Sequence, residues 1–301
     1  MRMGRIILIV ATIAILGVGA FALLRLAGPR QLDLADNYWP GKRAAITVER
    51  GITYAKADPA QRYDLYSPAG LARNCTAGSH PTLIFFHGGS WRDGDRPSYG
   101  FVGRAFAERG FHVVVADYRK MPDAPFPAFV EDAAAAIAYV HRHLPPCADP
   151  QQLYVSGHSA GAHIAMLAVL DPKWLAAQKL DSALVAGIIG LAGPYDFYPF
   201  TSDAARAALG QWPEPHETQP IHYARGDAPP LLLLSGDADT TVKPRNSRLL
   251  AKTITEKGGP ALVRFYEGIT HSGIVMAIAR PFRGKAPVID DIIAFTKAPR
   301  P

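Results

Sequence analysis

The sequence predicts an α/β domain in which a mostly parallel central sheet carries helices on both faces. Three observations point there. Runs such as "PTLIFFHGG", "FHVVVADYR" and "PPLLLLSGD" are apolar throughout rather than alternating, which marks strands buried on both sides. Stretches with helical spacing separate these runs in turn, the pattern of parallel strands joined by crossover helices. At residues 157–161 the chain leaves the strand-like "LYVSG" for the small helical residues "AGAHIAMLAVL", with one hydroxyl, Ser159, set between Gly157 and Gly161.

Length and composition bound the rest. With 301 residues, 49% hydrophobic and 19% charged, the chain fits one large globular domain and excludes a disordered or fibrous protein. The net charge is +6, but Arg2, Arg5, Arg25, Arg30, Lys42 and Arg43 crowd the first 43 residues. No basic stripe follows them, which argues against a nucleic-acid partner. An uninterrupted apolar run from Ile6 to Leu24 sits between Arg5 and Arg25. As a helix at roughly 1.5 Å per residue it nearly crosses a hydrocarbon core. Residues 1–30 are therefore expected to be a transmembrane anchor or a signal segment. Small residues at Val18-Gly19-Ala20 and Ala20-Phe21-Ala22 keep signal cleavage open. The expected location is a single-pass membrane protein with its domain outside the cytoplasm, or a secreted or periplasmic protein after cleavage.

Residues 31–45 are polar and punctuated by Pro40-Gly41, and are expected to form a linker onto a domain spanning 46–301. In that domain "ITVERGITYA" and "QRYDLYSP" read as early strands, "PTLIFFHGG" as a buried strand and "YGFVGRAFAERG" as a helix. The strand "FHVVVADYR", the helix "PAFVEDAAAAIAYVHRHL", the strand "QQLYVSG" and the helix "SAGAHIAMLAVL" follow, the last stopped at Asp171-Pro172. "LVAGIIGLAG" and "PPLLLLSGD" are strands, "SRLLAKTITEKGG" a helix, "ALVRFYEG" a strand and "VIDDIIAFTKA" the closing helix. Between Phe197 and about Asp227 a proline-rich stretch is expected to mix a short helix with loop and to lie over the site as a lid. The two cysteines, Cys75 and Cys147, precede two strands at similar offsets. A disulfide and two free thiols are both open readings, and neither spacing suggests a metal site.

Reactive groups in such sheets collect at the carboxyl ends of strands. A strand that reverses sharply into a helix strains the serine between them and needs small residues two positions either side, so Ser159 is pushed outward beside a helix N-terminus. A hydroxyl becomes a useful nucleophile only with a base, and the base needs an orienting acid. Later strands end in "GDADTTV" and "ITHS", which place Asp237, Asp239 and His271 at the same edge. Asp237, nearer its strand, suits bonding to loop amides, which leaves Asp239 as the expected acid and His271 as the base. His216 and His222 fall in the lid; His141 and His143 point to different helix faces. In "FFHGGSW" two glycines free backbone amides, so Gly89, Ser90 and Ala160 are the expected oxyanion donors, with His87 bracing the loop.

These residues resemble the α/β-hydrolase superfamily, and within it the esterase branch of HGG-type carboxylesterases, kynurenine formamidases, prenylcysteine methylesterases and feruloyl esterases. "RYDLYSP", "HGGSW", "ADYRKMPDAPFPAFVEDAAAAIAYV", "GHSAGAHIAMLAVL" and "GDADTTV" carry the likeness, over about residues 45–297. HGGS stands where one branch has HGGG. The resemblance implies an α/β-hydrolase fold and a Ser159–His271–Asp239 triad that cleaves small carboxylic esters through an acyl-enzyme, without metal or organic cofactor. An arylformamidase of the N-formylkynurenine type is the alternative with the same machinery. A non-catalytic hydrolase-like binding protein is the alternative of another class, and the intact Ser, His and Asp set argues against it.

Overall fold

The computed structural model describes residues 28–71 and 78–299. The apolar run Ile6–Leu24 lies outside them. Among the described residues no helix is long and apolar enough to cross a membrane.

Along the chain come α1 (Pro29–Tyr38), β1 (Ile46–Thr53), β2 (Arg62–Pro68), β3 (His80–Phe86), α2 (Gly100–Ala107), β4 (His112–Ala116) and α3 (Ala128–Arg142). Next are β5 (Ala148–His158), α4 (Ala160–Leu170), α5 (Pro172–Ala177), β6 (Gly187–Leu191), α6 (Asp203–Leu209) and β7 (Leu231–Gly236). The last elements are α7 (Arg245–Glu256), β8 (Ala261–Tyr266), α8 (His271–Met276) and α9 (Val288–Lys297). The strands form one sheet in the order β1-β2-β4-β3-β5-β6-β7-β8. β2 runs antiparallel to both its neighbours; every pairing from β4 to β8 is parallel.

Both faces of the inner strands are covered, which is why those strands read as continuous apolar runs. On β3, Ile84 and Phe86 enter the core shared with α3, α4 and α7, while Leu83 and Phe85 enter the core shared with α2, α8 and α9. At one edge of the sheet β8 instead alternates, with Leu262 and Arg264 exposed between less exposed neighbours. Every residue of α4 is buried, because it is packed between the sheet and α3 and α5. The lid stretch holds α6 and two single turns at Pro215–Thr218 and Pro220–Tyr223.

The linker expected at 31–45 requires correction. Residues 29–38 form α1, and it is docked on the domain: Leu32 and Asp36 are buried. Asp36 accepts from Arg104 Nε at 2.9 Å and from the Arg280 amide at 2.7 Å, and Arg104 also binds Asp33 at 2.7 Å. The folded unit thus includes Pro29–Tyr38, held by a buried carboxylate together with Leu32. β3 and β5 are neighbours, and Cys147, immediately ahead of β5, is disulfide-bonded. Cys75 lies outside the described residues.

Candidate active site

The site begins where β5 ends. Ser159 has φ 54° and ψ −122°, a left-handed conformation that costs a non-glycine residue about 1–3 kcal/mol. Its amide donates to Leu191 O on β6 at 2.9 Å, and α4 starts at the next residue. The flanking glycines are steric necessities. A Cβ on Gly157 would stand 2.4 Å from the Gly161 carbonyl, and one on Gly161 would stand 2.1 Å from Phe86 O. The turn is therefore clamped between its own helix and β3.

The loops after β7 and β8 bring two more groups to this point. His271 Nε2 lies 2.8 Å from Ser159 Oγ, and His271 Nδ1 lies 2.8 Å from Asp239 Oδ2. The other oxygen of Asp239 accepts from the amides of Thr241 at 2.9 Å and Val242 at 2.8 Å, so the buried carboxylate is fixed before it meets the ring. An acceptor at Nδ1 selects the tautomer that leaves Nε2 free to accept from the serine. Asp237 is exposed and accepts from Gly268 N at 2.7 Å, joining the two loops without touching His271. His271 itself opens α8, which Thr270 caps through the Gly273 amide at 3.3 Å.

Ser90 and Ala160 line the same cavity as Ser159, and Gly89 precedes Ser90 in the turn after β3. The turn after β3 closes with Gly89 O accepting from Arg92 N at 3.0 Å and Asp93 N at 2.7 Å. Gly89 has φ 136°, and a Cβ there would stand 1.9 Å from Asp93 O. Among the described residues the amides of Gly89, Ser90 and Ala160 donate to no protein acceptor, and Ser90, Ala160 and Ser159 line one cavity of about 550 Å³. Below the turn, His87 is stacked on Tyr118 and Tyr99 and bonded to Gly88 O at 2.8 Å and Asp117 at 3.2 Å. Arg96 ties Asp117 at 2.5 Å to Asp64 at 2.9 Å. A buried charge network thus supports the loop.

Sequence reasoning did not single out two further histidines. His158 is buried beside Ser159, and its Nε2 donates to His271 O at 3.1 Å. Burial, with the nearby His271 ring second, pushes its pKa down to about 3. His163 on α4 accepts from Trp91 Nε1 at 3.1 Å and donates to Thr218 O at 2.8 Å; burial lowers its pKa to about 4. It joins the loop after β3 to the lid. A histidine in the middle of the otherwise apolar α4 was the available signal. Trp91 also stacks on Phe197, with 6.0 Å between ring centroids, and so forms the cavity's aromatic wall. Among the described residues no group of three or more His, Cys, Asp or Glu is arranged to hold a metal ion.

Fold and site together define an ester hydrolase of the α/β-hydrolase class, and comparison with known proteins agrees. Residues 63–254 match the BD-FAE family, and the chain belongs to that family. It is 27% identical to an isoprenylcysteine alpha-carbonyl methylesterase of Arabidopsis thaliana, over 94% of this chain and 69% of that one. It is 31% identical to the esterase LipQ of Mycobacterium tuberculosis over 75% of this chain, and the match spans 57% of LipQ. Among solved structures, esterase 2 of Thermogutta terrifontis superposes with a TM-score of 0.68 at 26% identity, covering 87% of this chain and 99% of that one.

Proposed function

We propose that the chain is a serine carboxylesterase acting on small carboxylic esters. Ser159 attacks the acyl carbon as His271 Nε2 takes its proton. The amides of Gly89, Ser90 and Ala160 receive the developing oxyanion, and Asp239 stabilises the imidazolium. His271 then protonates the leaving alcohol, and water activated by the same ring releases the acid. The observation that carries this reading is the unbroken chain Ser159 Oγ, His271, Asp239, with both links at 2.8 Å, opening on one cavity.

The test is Ser159→Ala on p-nitrophenyl acetate, expected to lower kcat by about four orders of magnitude or more. Labelling by a fluorophosphonate probe at Ser159 should vanish with it. Undiminished turnover overturns the assignment. Running N-formylkynurenine beside short, long and feruloyl esters separates an esterase from an arylformamidase.

The sequence supports a second reading about location. The run Ile6–Leu24 holds the enzyme on a membrane with its domain outside the cytoplasm. Membrane fractionation with and without residues 1–30 tests it: release on deletion is expected, and recovery of the intact chain in the soluble fraction, or its cleavage after about residue 20, overturns the anchor.

A further inference from the structure

The cavity at Ser159 carries an unbalanced charge. Among the described residues its lining includes two cations, Lys243 and Arg245, and no carboxylate. A second cleft of about 540 Å³ shares Thr240, Lys243 and Arg245 with it and adds Arg248. Asp237 and Asp239 border that second cleft, but Asp239 is engaged by His271 and Asp237 by the Gly268 amide. Among the described residues none of the three cations forms an ion pair with a carboxylate. Arg245 reaches only the backbone oxygen of Asp196 at 3.3 Å, and Arg248 lies 4.9 Å over the Phe265 ring. All three side chains are exposed.

Their position runs against helix stability. Arg245 and Arg248 occupy the first turn of α7 and Lys243 precedes it, and that turn contains no acidic residue. A helix N-terminus carries partial positive charge, so cations there are disfavoured and anions favoured. Backbone and cations therefore add to one positive field, directed at the mouth that holds the serine. The loop bearing Lys243 cannot swing away, because Thr241 and Val242 amides anchor it on Asp239 and Asn246 Nδ2 donates to Lys243 O at 3.2 Å. Asn246 in turn accepts from the amides of Tyr195 and Asp196, both at 2.9 Å, which ties the rim to the loop after β6.

We propose that the preferred substrates are carboxylic esters bearing a second, anionic group, a carboxylate on the acyl or the alcohol portion, received by Lys243 and Arg245. This rests on Ser159 being the nucleophile of the same cavity. The positive rim draws the anion in and fixes which end of the ester faces the oxyanion donors, so discrimination falls mainly on KM.

The experiment compares matched ester pairs. Mono-p-nitrophenyl glutarate against p-nitrophenyl hexanoate tests an acyl-side anion; m-carboxyphenyl butyrate against phenyl butyrate tests an alcohol-side anion. The expected result is a kcat/KM ratio of anionic to neutral ester of about five to ten in one pair, shrinking as salt rises from about 50 mM to about 0.5 M. Lys243→Gln with Arg245→Gln should bring that ratio to about one or below, and Lys243→Arg should keep it. Ratios near one in both pairs of the native enzyme overturn the proposal, as does a ratio that the double substitution leaves in place. Fluorophosphonate labelling of Ser159 in each variant reports that the site is folded. Loss of labelling and of all turnover in the native enzyme would instead refute the nucleophile, so the two failures are distinguishable.

Discussion

The residue before the candidate nucleophile holds the backbone of the candidate base: His158 Nε2 donates to the carbonyl oxygen of His271 at 3.1 Å, and the two rings lie 5.1 Å apart. Donation at Nε2 leaves Nδ1 bare, and this atom is buried with no partner among the described residues. A Cβ on Gly88 would stand 2.9 Å from it, so the turn after β3 closes over the ring. His158 therefore joins three elements at the point where His271 must stay within reach of Ser159.

His158→Ala should lower kcat by about tenfold to a hundredfold with little change in KM, since misplacing a base by a fraction of an ångström acts on the chemical step. His158→Gln, which can still donate to the carbonyl, should recover part of the loss. Steady-state kinetics on a short p-nitrophenyl ester decides. An unchanged kcat in His158→Ala would mean that the elbow and α8 hold His271 unaided.

The two aspartates after β7 give a second prediction. Asp239→Asn removes the negative charge behind His271 and allows the wrong tautomer, so kcat near neutral pH should fall by about three to four orders of magnitude. Asp237→Asn leaves that ring untouched and weakens only the bond to Gly268 N. Its kcat should stay within about tenfold of the parent. Comparable losses in both variants would contradict the division of roles.

Acid stability supplies a third. His158 and His163 have pKa values lowered from 6.5 to about 3 and about 4, chiefly by burial. Below pH 6.5 the unfolded chain takes up protons at these rings while the folded chain does not, so stability is full above that pH and declines as pH falls toward the folded values. Between about pH 7 and pH 5 each ring should cost on the order of 2 kcal/mol. Urea denaturation of His163→Gln should show a smaller loss over this interval than the parent. Equal losses would remove His163 from the acid response.

What could be read in the sequence follows from how local the determining physics is. Inner strands announced themselves because burial on both faces forces apolar runs, and the elbow did because its glycines are required by contacts within five residues and with β3. Ser159, Asp239 and His271 were legible because strand ends share one edge of a parallel sheet. The docking of α1 was not: the partners of Asp36 are 68 and 244 positions away, and Pro29–Tyr38 has no apolar stripe to show them. The bond from Trp91 to His163, 72 positions apart, was hidden for the same reason. α8, six residues long, is shorter than any window in which helical periodicity appears.

The Asp36 anchor gives the last prediction. Asp36 is fully buried and meets Arg104 Nε and the Arg280 amide, while Arg280 also pairs with Glu108. Asp36→Ala takes the acceptor from both Arg104 Nε and the Arg280 amide and leaves Arg104 paired with Asp33 alone, so it should cost about 2 kcal/mol or more in urea denaturation. Asp33→Ala should cost less, because Asp33 is more exposed and Arg104 keeps Asp36. No α1 residue lines the cavity at Ser159, so the folded fraction of Asp36→Ala should hydrolyse a short ester at a rate within about twofold of the parent. Increased protease cleavage around Trp39–Arg43 would report the released helix. Unaltered stability and unaltered cleavage would show that α1 is held by Leu32 and its apolar neighbours, with the ion pair contributing nothing.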